Sequence, residues 1–251
     1  MKITGRHLRW DRLRKLERQE LTWLLVGLGA CILLFVFISF AGEVMGGDTQ
    51  ALDLKILRAL RKADDPSKPI GPEWIEFALL DLTALGSPTV LGLVTFAVIG
   101  FLVLQARYRT ALVILITFIS GELVNHAMKQ FFMRPRPTVV PHLREVASTS
   151  FPSGHAMESA IVYLTLGAML MRVAESRLTK VYCLAMALVL TLLVGVSRVS
   201  LGVHYPTDVI GGWILGFVWA SMCWLIAQRF EASTGVIAER HKIAERHKKV
   251  K

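Results

Sequence analysis

Six apolar stretches decide what this chain can become. A helix needs roughly 20 apolar residues to cross a hydrocarbon core of about 30 Å. Stretches of about that length lie at 21–41, 83–105, 110–128, 154–173, 181–197 and 208–228. Inside a bilayer every backbone amide and carbonyl must be paired internally, which leaves helices as the natural form for runs of this kind. The sequence therefore predicts an all-α, six-transmembrane helix bundle. Charge placement agrees. Charged residues make up 19% of the chain, and seven of the Lys/Arg fall in residues 1–20 and seven more in 229–251. The expected organisation is a basic N-terminal segment over 1–20, a membrane domain over 21–228 and a basic tail over 229–251. Ser39-Phe40-Ala41 resembles a cleavage site, but the first apolar run is longer than a typical signal core, so a retained helix is expected.

Lys and Arg in short loops set orientation. Both ends are basic, Ala106-Arg107-Tyr108-Arg109 joins the second and third stretches, and Arg172, Arg177 and Lys180 lie between the fourth and fifth. These segments share one side, expected to be cytoplasmic in a plasma (inner) membrane, with both termini there. The connections 42–82, 129–153 and 198–207 then face outward. In the first of them, Leu52, Ile56, Ala59 and Leu60 recur at helical spacing. That pattern fits a short interfacial helix or one packed on the bundle.

The net charge of +10 sits mainly in the two end segments flanking apolar spans. Anionic lipid headgroups are the expected partner there; no nucleic-acid-reading motif is present. Cys31, Cys183 and Cys223 lie in apolar runs without metal-type spacing and read as small hydrophobes. Oligomeric state is not legible.

The outward connections collect the unusual polar residues. Lys129 ends the third span; Arg134 and Arg136 follow in Arg-Pro-Arg-Pro; Pro152-Ser153-Gly154-His155 opens the fourth; Ser197-Arg198 closes the fifth; His204 and Asp208 lead into the sixth. Ionisable residues at membrane depth are costly and usually functional. Lys129, Arg136 and Arg198 are cations from three segments, and gathered together they call for an anion; the Arg fork matches phosphate oxygens. A helix N-terminus at Ser153-Gly154-His155 adds free backbone N–H groups and the positive dipole end. Of the two histidines, His155 and His204, one can attack phosphorus while the other gives a proton to the leaving oxygen. Asp208, four residues after His204, can hold one ring nitrogen as N–H. No acidic metal-binding cluster accompanies them. The three cations suit the charge stabilisation that phosphoryl transfer needs, so turnover without a metal or other cofactor is expected.

These blocks resemble the signature of the type 2 phosphatidic acid phosphatase superfamily. Lys129-(six residues)-Arg136-Pro137, Pro152-Ser153-Gly154-His155 and Ser197-Arg198-(five residues)-His204-(three residues)-Asp208 match its three parts in order. The resemblance implies a membrane lipid phosphatase with a phosphohistidine on His204, a general acid at His155 and an orienting role for Asp208. It further implies phosphate binding by Lys129, Arg136, Ser153, Gly154 and Arg198, from a periplasm-facing site. Undecaprenyl diphosphate is the first substrate expected from a bacterial source, then phosphatidylglycerophosphate, phosphatidic acid and lipid A phosphates. A phosphotransferase using the same intermediate is the alternative. A transporter would show inverted repeats and interrupted helices near the midplane, and a soluble vanadate-type haloperoxidase would lack six spans.

Other polar residues carry less. Arg134 and Arg144, outside the signature, read as snorkelling anchors. Asn125 is placed to steady Lys129, and Glu158 to tune His155, with interhelical hydrogen bonding an equal alternative that also covers Glu122 and His126. Asp81 lines the site or caps a helix. Gly211, Gly212 and Gly216 suggest close helix packing. The tandem Ile-Ala-Glu-Arg-His-Lys at 237–242 and 243–248 reads as a polar tail.

Overall fold

The computed structural model describes the backbone of residues 4–249 except 145 and 147, and the side chains of residues 20–228 with the same exceptions. The side chains of both basic ends, including the tandem repeat, fall outside the described residues. Among the described residues eight helices follow in order: α1 (Thr4–Gly46), α2 (Gln50–Ala59), α3 (Trp74–Ala84), α4 (Pro88–Leu104), α5 (Tyr108–Phe132), α6 (Gly154–Val173), α7 (Arg177–Ser200) and α8 (Pro206–Lys249). Among the described residues the extended pairing is limited to an isolated bridge between Arg61 and Pro69.

Among the described residues five helical stretches are long and apolar enough to cross a membrane: Glu20–Gly46, Tyr108–Phe132, Gly154–Val173, Arg177–Ser200 and Pro206–Gln228. The second expected span, 83–105, is not one long helix. It falls on α4 with the end of α3 before it, and these two helices are bent by 47° at a short break, making a sixth candidate span only as a pair. The cause is local. Pro88 has no amide hydrogen to continue a preceding helix, and Ser87 sits extended and accepts from the Val90 amide at 3.3 Å, capping α4. Ser176 caps α7 in the same way, accepting from the Thr179 amide at 3.0 Å. α5 stops where Met133 turns left-handed, with φ 45°, and Arg-Pro-Arg-Pro then bars helix.

Two compact units arise, Met1–Ile32 with Ser221–Lys251, and Leu33–Ala220. In the first, Gly27 of α1 faces Leu225 of α8. The second holds every site residue, and α6 runs through its middle, packed on α4, α5 and α7. One side of α6 meets Phe37, Ala41, Phe151 and Leu215 through Met157 and Ile161. The other meets Leu91, Ala187 and Val194 through Ala160 and Leu164. Gly212 and Gly216 let α8 lie directly on the α6 backbone: a Cβ at either would come within 2.6 Å of a carbonyl oxygen, of Ser153 and Met157 respectively. With no hydrophobic force between helices in lipid, such small-residue contacts carry association.

The helix expected in the first outward connection is α2, but its inward face is shifted: Ile56 and Leu60 pack, while Ala59 does not. Asp53 and Leu57 are buried, while Leu52 is exposed. Leu57 packs with Ala156, Val199, Tyr205 and Val209. Just beyond α2, buried Arg61 donates to the Ser200 carbonyl at 2.8 Å and the Pro141 carbonyl at 3.1 Å. The Arg134 guanidinium, 2.9 Å from the Asp53 carboxylate, explains why a carboxylate outcompetes a leucine for the inner position.

Candidate active site

Residues Tyr205-Pro206-Thr207-Asp208 start α8 by a local device. Proline fits the first helical position, and the Asp208 carboxylate reaches back to accept from the Tyr205 amide at 2.8 Å, as the acidic residue of a capping box does. That bond aims the carboxylate at His204, whose Nδ1 lies 3.4 Å from Asp208 Oδ2. The same oxygen takes the Ser150 hydroxyl, and Oδ1 takes Arg134 Nη1 at 2.6 Å. On the other side of the ring, His204 Nε2 lies 3.1 Å from Arg136 Nη1. An arginine nitrogen can only donate, so Nε2 carries the lone pair and Nδ1 the hydrogen. His204 is 1% exposed. Burial, followed by the charges of Arg136, Arg198 and Lys129, holds its ring well below the usual histidine range. It is a neutral imidazole with its free electron pair turned toward cations.

The cations come from three elements. Arg136 is fixed by its bonds to the Val203 and Ser148 carbonyls, both at 2.6 Å. Lys129, in the last turn of α5, and Arg136 both donate to the Ser148 hydroxyl at 3.1 Å. Arg198, in the last turn of α7, donates to Thr83 of α3 at 2.9 Å, and its Nε is buried with no hydrogen-bond partner among the described residues. Ser153, at the N-cap of α6, donates its amide to the Asp208 carbonyl at 3.0 Å. The Ser153 hydroxyl and His155 Nε2 are likewise buried without partners among the described residues. Gly154 follows, where a Cβ would come 2.6 Å from Asn125 Nδ2. The structure thus gathers all eight sequence-derived residues in the same unit, around the start of α6 and the turn before α8. Three cations, a helix N-terminus and a neutral imidazole can bind a phosphoryl group and attack it. Among the described residues, no three or more His, Cys, Asp and Glu side chains group as metal ligands would.

Some residues fall otherwise than the sequence suggests, and others take one of two open readings. Arg134 is no free anchor. It is 7% exposed, paired with Asp53 at 2.9 Å and with Asp208, bonded to Thr207 at 2.9 Å, and stacked 4.2 Å over the Tyr205 ring. Asp53 closes the circuit by accepting from the Thr207 amide at 3.1 Å and hydroxyl at 2.6 Å. Asn125 donates to Glu158 at 2.8 Å, an interhelical bond from α5 to α6. Asp81 is exposed, and Thr83, two residues on, is the α3 residue that reaches the site. Asp53, Thr83 and Ser148 were missed. An acid on the apolar face of a short helix was the one available sign, for Asp53; nothing local marks the other two.

The comparisons fit this geometry. A family model of the PAP2 superfamily matches residues 110–232. Phosphatidylglycerophosphatase B of Bacillus subtilis is 32% identical over 190 residues, spanning 74% of this chain and 88% of the relative. The chain belongs to the PAP2 superfamily. An undecaprenyl-diphosphatase of Sulfolobus acidocaldarius is 35% identical over 104 residues, 40% of this chain and 45% of that protein. The crystal structure of a transmembrane PAP2 type phosphatidylglycerolphosphate phosphatase from Bacillus subtilis superposes with a TM-score of 0.70 at 28% identity, covering 81% of this chain and 96% of that one. This PAP2 protein is an integral membrane protein, and its PAP2 relatives named here are phosphatases or diphosphatases.

Proposed function

We propose that this PAP2 protein hydrolyses the phosphate or diphosphate of a membrane lipid. His204 Nε2 attacks phosphorus as the bond to the leaving oxygen breaks, giving a phosphohistidine. His155 hands its proton to that oxygen. Water, deprotonated by His155, then attacks the phosphohistidine and releases inorganic phosphate and free His204. Lys129, Arg136, Arg198, the Ser153 hydroxyl and the Gly154 amide hold the equatorial oxygens, where phosphoryl transfer concentrates its charge. Asp208 keeps Nδ1 protonated and the ring aimed. The observation that carries the reading is the placement of the His204 ring, with Nε2 3.1 Å from the Arg136 guanidinium and Nδ1 3.4 Å from the Asp208 carboxylate.

The relative matched over most of its length supports phosphatidylglycerophosphate as the first substrate to try, with undecaprenyl diphosphate second. The basic connections between spans support a site on the periplasmic face, with α2 at that interface. Purified protein in detergent, given a panel of lipid phosphates with and without a chelator, tests the reading. Phosphate release equal in both arms, and at background for His204→Ala, is the expected outcome. A wild type that stays at background on every lipid phosphate would end it, and phosphate passing to another lipid without appearing free would mark a transferase.

A further inference from the structure

We propose that Arg134 and Asp53 are positioning residues of the reaction: they act through Asp208 to set how His204 is held, which makes α2 part of the catalytic apparatus. The inference rests on the phosphatase reading above. Asp208 has two oxygens with separate duties. Oδ2 faces His204, Ser150 and the Tyr205 amide, and Oδ1 is given wholly to Arg134. Asp53 and Asp208 are both 0% exposed, and Arg134 bridges them with one nitrogen to each. A buried carboxylate with a free oxygen would rotate toward whatever donor it found. With Oδ1 pinned by Arg134, Oδ2 has one direction left, toward His204.

Asp53 does the same for Arg134. It takes the second guanidinium nitrogen and fixes Thr207, whose hydroxyl also accepts from Arg134. The chain of contact is α2 to the Arg-Pro-Arg-Pro segment to the first turn of α8 to the imidazole. The charges have a definite sign at His204. The groups facing that ring are Lys129 from α5, Arg136 from the segment after it, His155 from α6, Arg198 from α7 and Asp208 from α8. Arg134 and Asp53 stand one layer behind. Removing the Asp53 charge leaves Arg134 concentrated on Asp208 and disfavours imidazolium. Removing the Arg134 charge frees Asp208 to favour it.

The test uses purified full-length Asp53→Asn, Arg134→Gln and the double variant, with phosphatidylglycerophosphate in mixed micelles across a pH series. The expected result is kcat lowered about tenfold or more in each single variant with KM within about twofold, because orientation is lost and phosphate contacts are not. The acidic limb of kcat/KM, which reports the free enzyme, moves to lower pH in Asp53→Asn and to higher pH in Arg134→Gln. The double variant lies between. Thr207→Val, which leaves every charge in place, lowers kcat without moving the limb. Folded variants with wild-type kcat and unmoved limbs, or limbs that move in the same direction, overturn the proposal. Failure of all these variants to fold overturns it too, by making the network purely structural. A wild type that releases no phosphate defeats the underlying reading instead.

Discussion

The two sides of His204 are built on opposite principles. Behind the ring every strong polar group is spent: Asp208 takes four donors, Arg134 serves two carboxylates and a hydroxyl, and Asp53 is held by Thr207 as well. In front, the Ser153 hydroxyl, His155 Nε2 and Arg198 Nε are buried with no partner among the described residues. A buried polar group left unpaired costs about 1–3 kcal/mol. A protein that satisfies one half of a pocket so fully and leaves the other half open has separated two tasks. In the reaction proposed above, the back half would orient the nucleophile and need not change during turnover. The front half would be complementary to an anion, and its unpaired donors would represent stabilisation that a bound phosphoryl group collects.

That contrast predicts graded losses. The largest in the front half belongs to Arg198→Ala, which removes a fork already anchored by Thr83. We expect kcat/KM to fall about 10²–10³-fold, while the thermal midpoint in detergent changes little. A large drop in that midpoint would show that Arg198 serves the scaffold as the back half does. Ser153→Ala should cost less, about 10–100-fold in kcat/KM, the worth of a single hydrogen bond from a hydroxyl to an anion. Its amide bond to Asp208 stays, so the fold should be untouched; an inactive variant would mean that the α6 N-cap is part of the orienting layer.

The last effect is on stability. His204 is neutral when folded and protonates near pH 6.5 when unfolded. Below that pH the unfolded chain binds one more proton, so folding weakens as pH falls, by about 1.4 kcal/mol per pH unit for this group. His204→Asn should therefore lose less stability than the wild type on acidification from pH 7 to pH 5, measured by thermal unfolding in detergent. Equal losses would show that the ring is not held neutral.

Much was legible from sequence because it is local or repetitive. Spans announce themselves by composition over about 20 residues, and the three signature blocks contain Lys129, Arg136, Ser153, Gly154, His155, Arg198, His204 and Asp208, at helix ends or in the connections beside them. The bend between α3 and α4 was not read, since hydropathy runs through Ser87-Pro88 without a break. The face that α2 buries was read less well, since its period gave Leu52 equal standing with residues that do pack.

What tertiary structure alone decided is which remote groups meet. Arg134 and Asp53 are 81 residues apart, Arg134 and Asp208 are 74 apart, and Arg198 and Thr83 are 115 apart. No period or propensity connects such positions, and each residue taken singly suits a helix end or a loop. Once helices pack, water is excluded, and a buried charge without a partner costs several kcal/mol. That cost acts only in the assembled core, which is why the sequence named the front of the site and the fold had to supply its back.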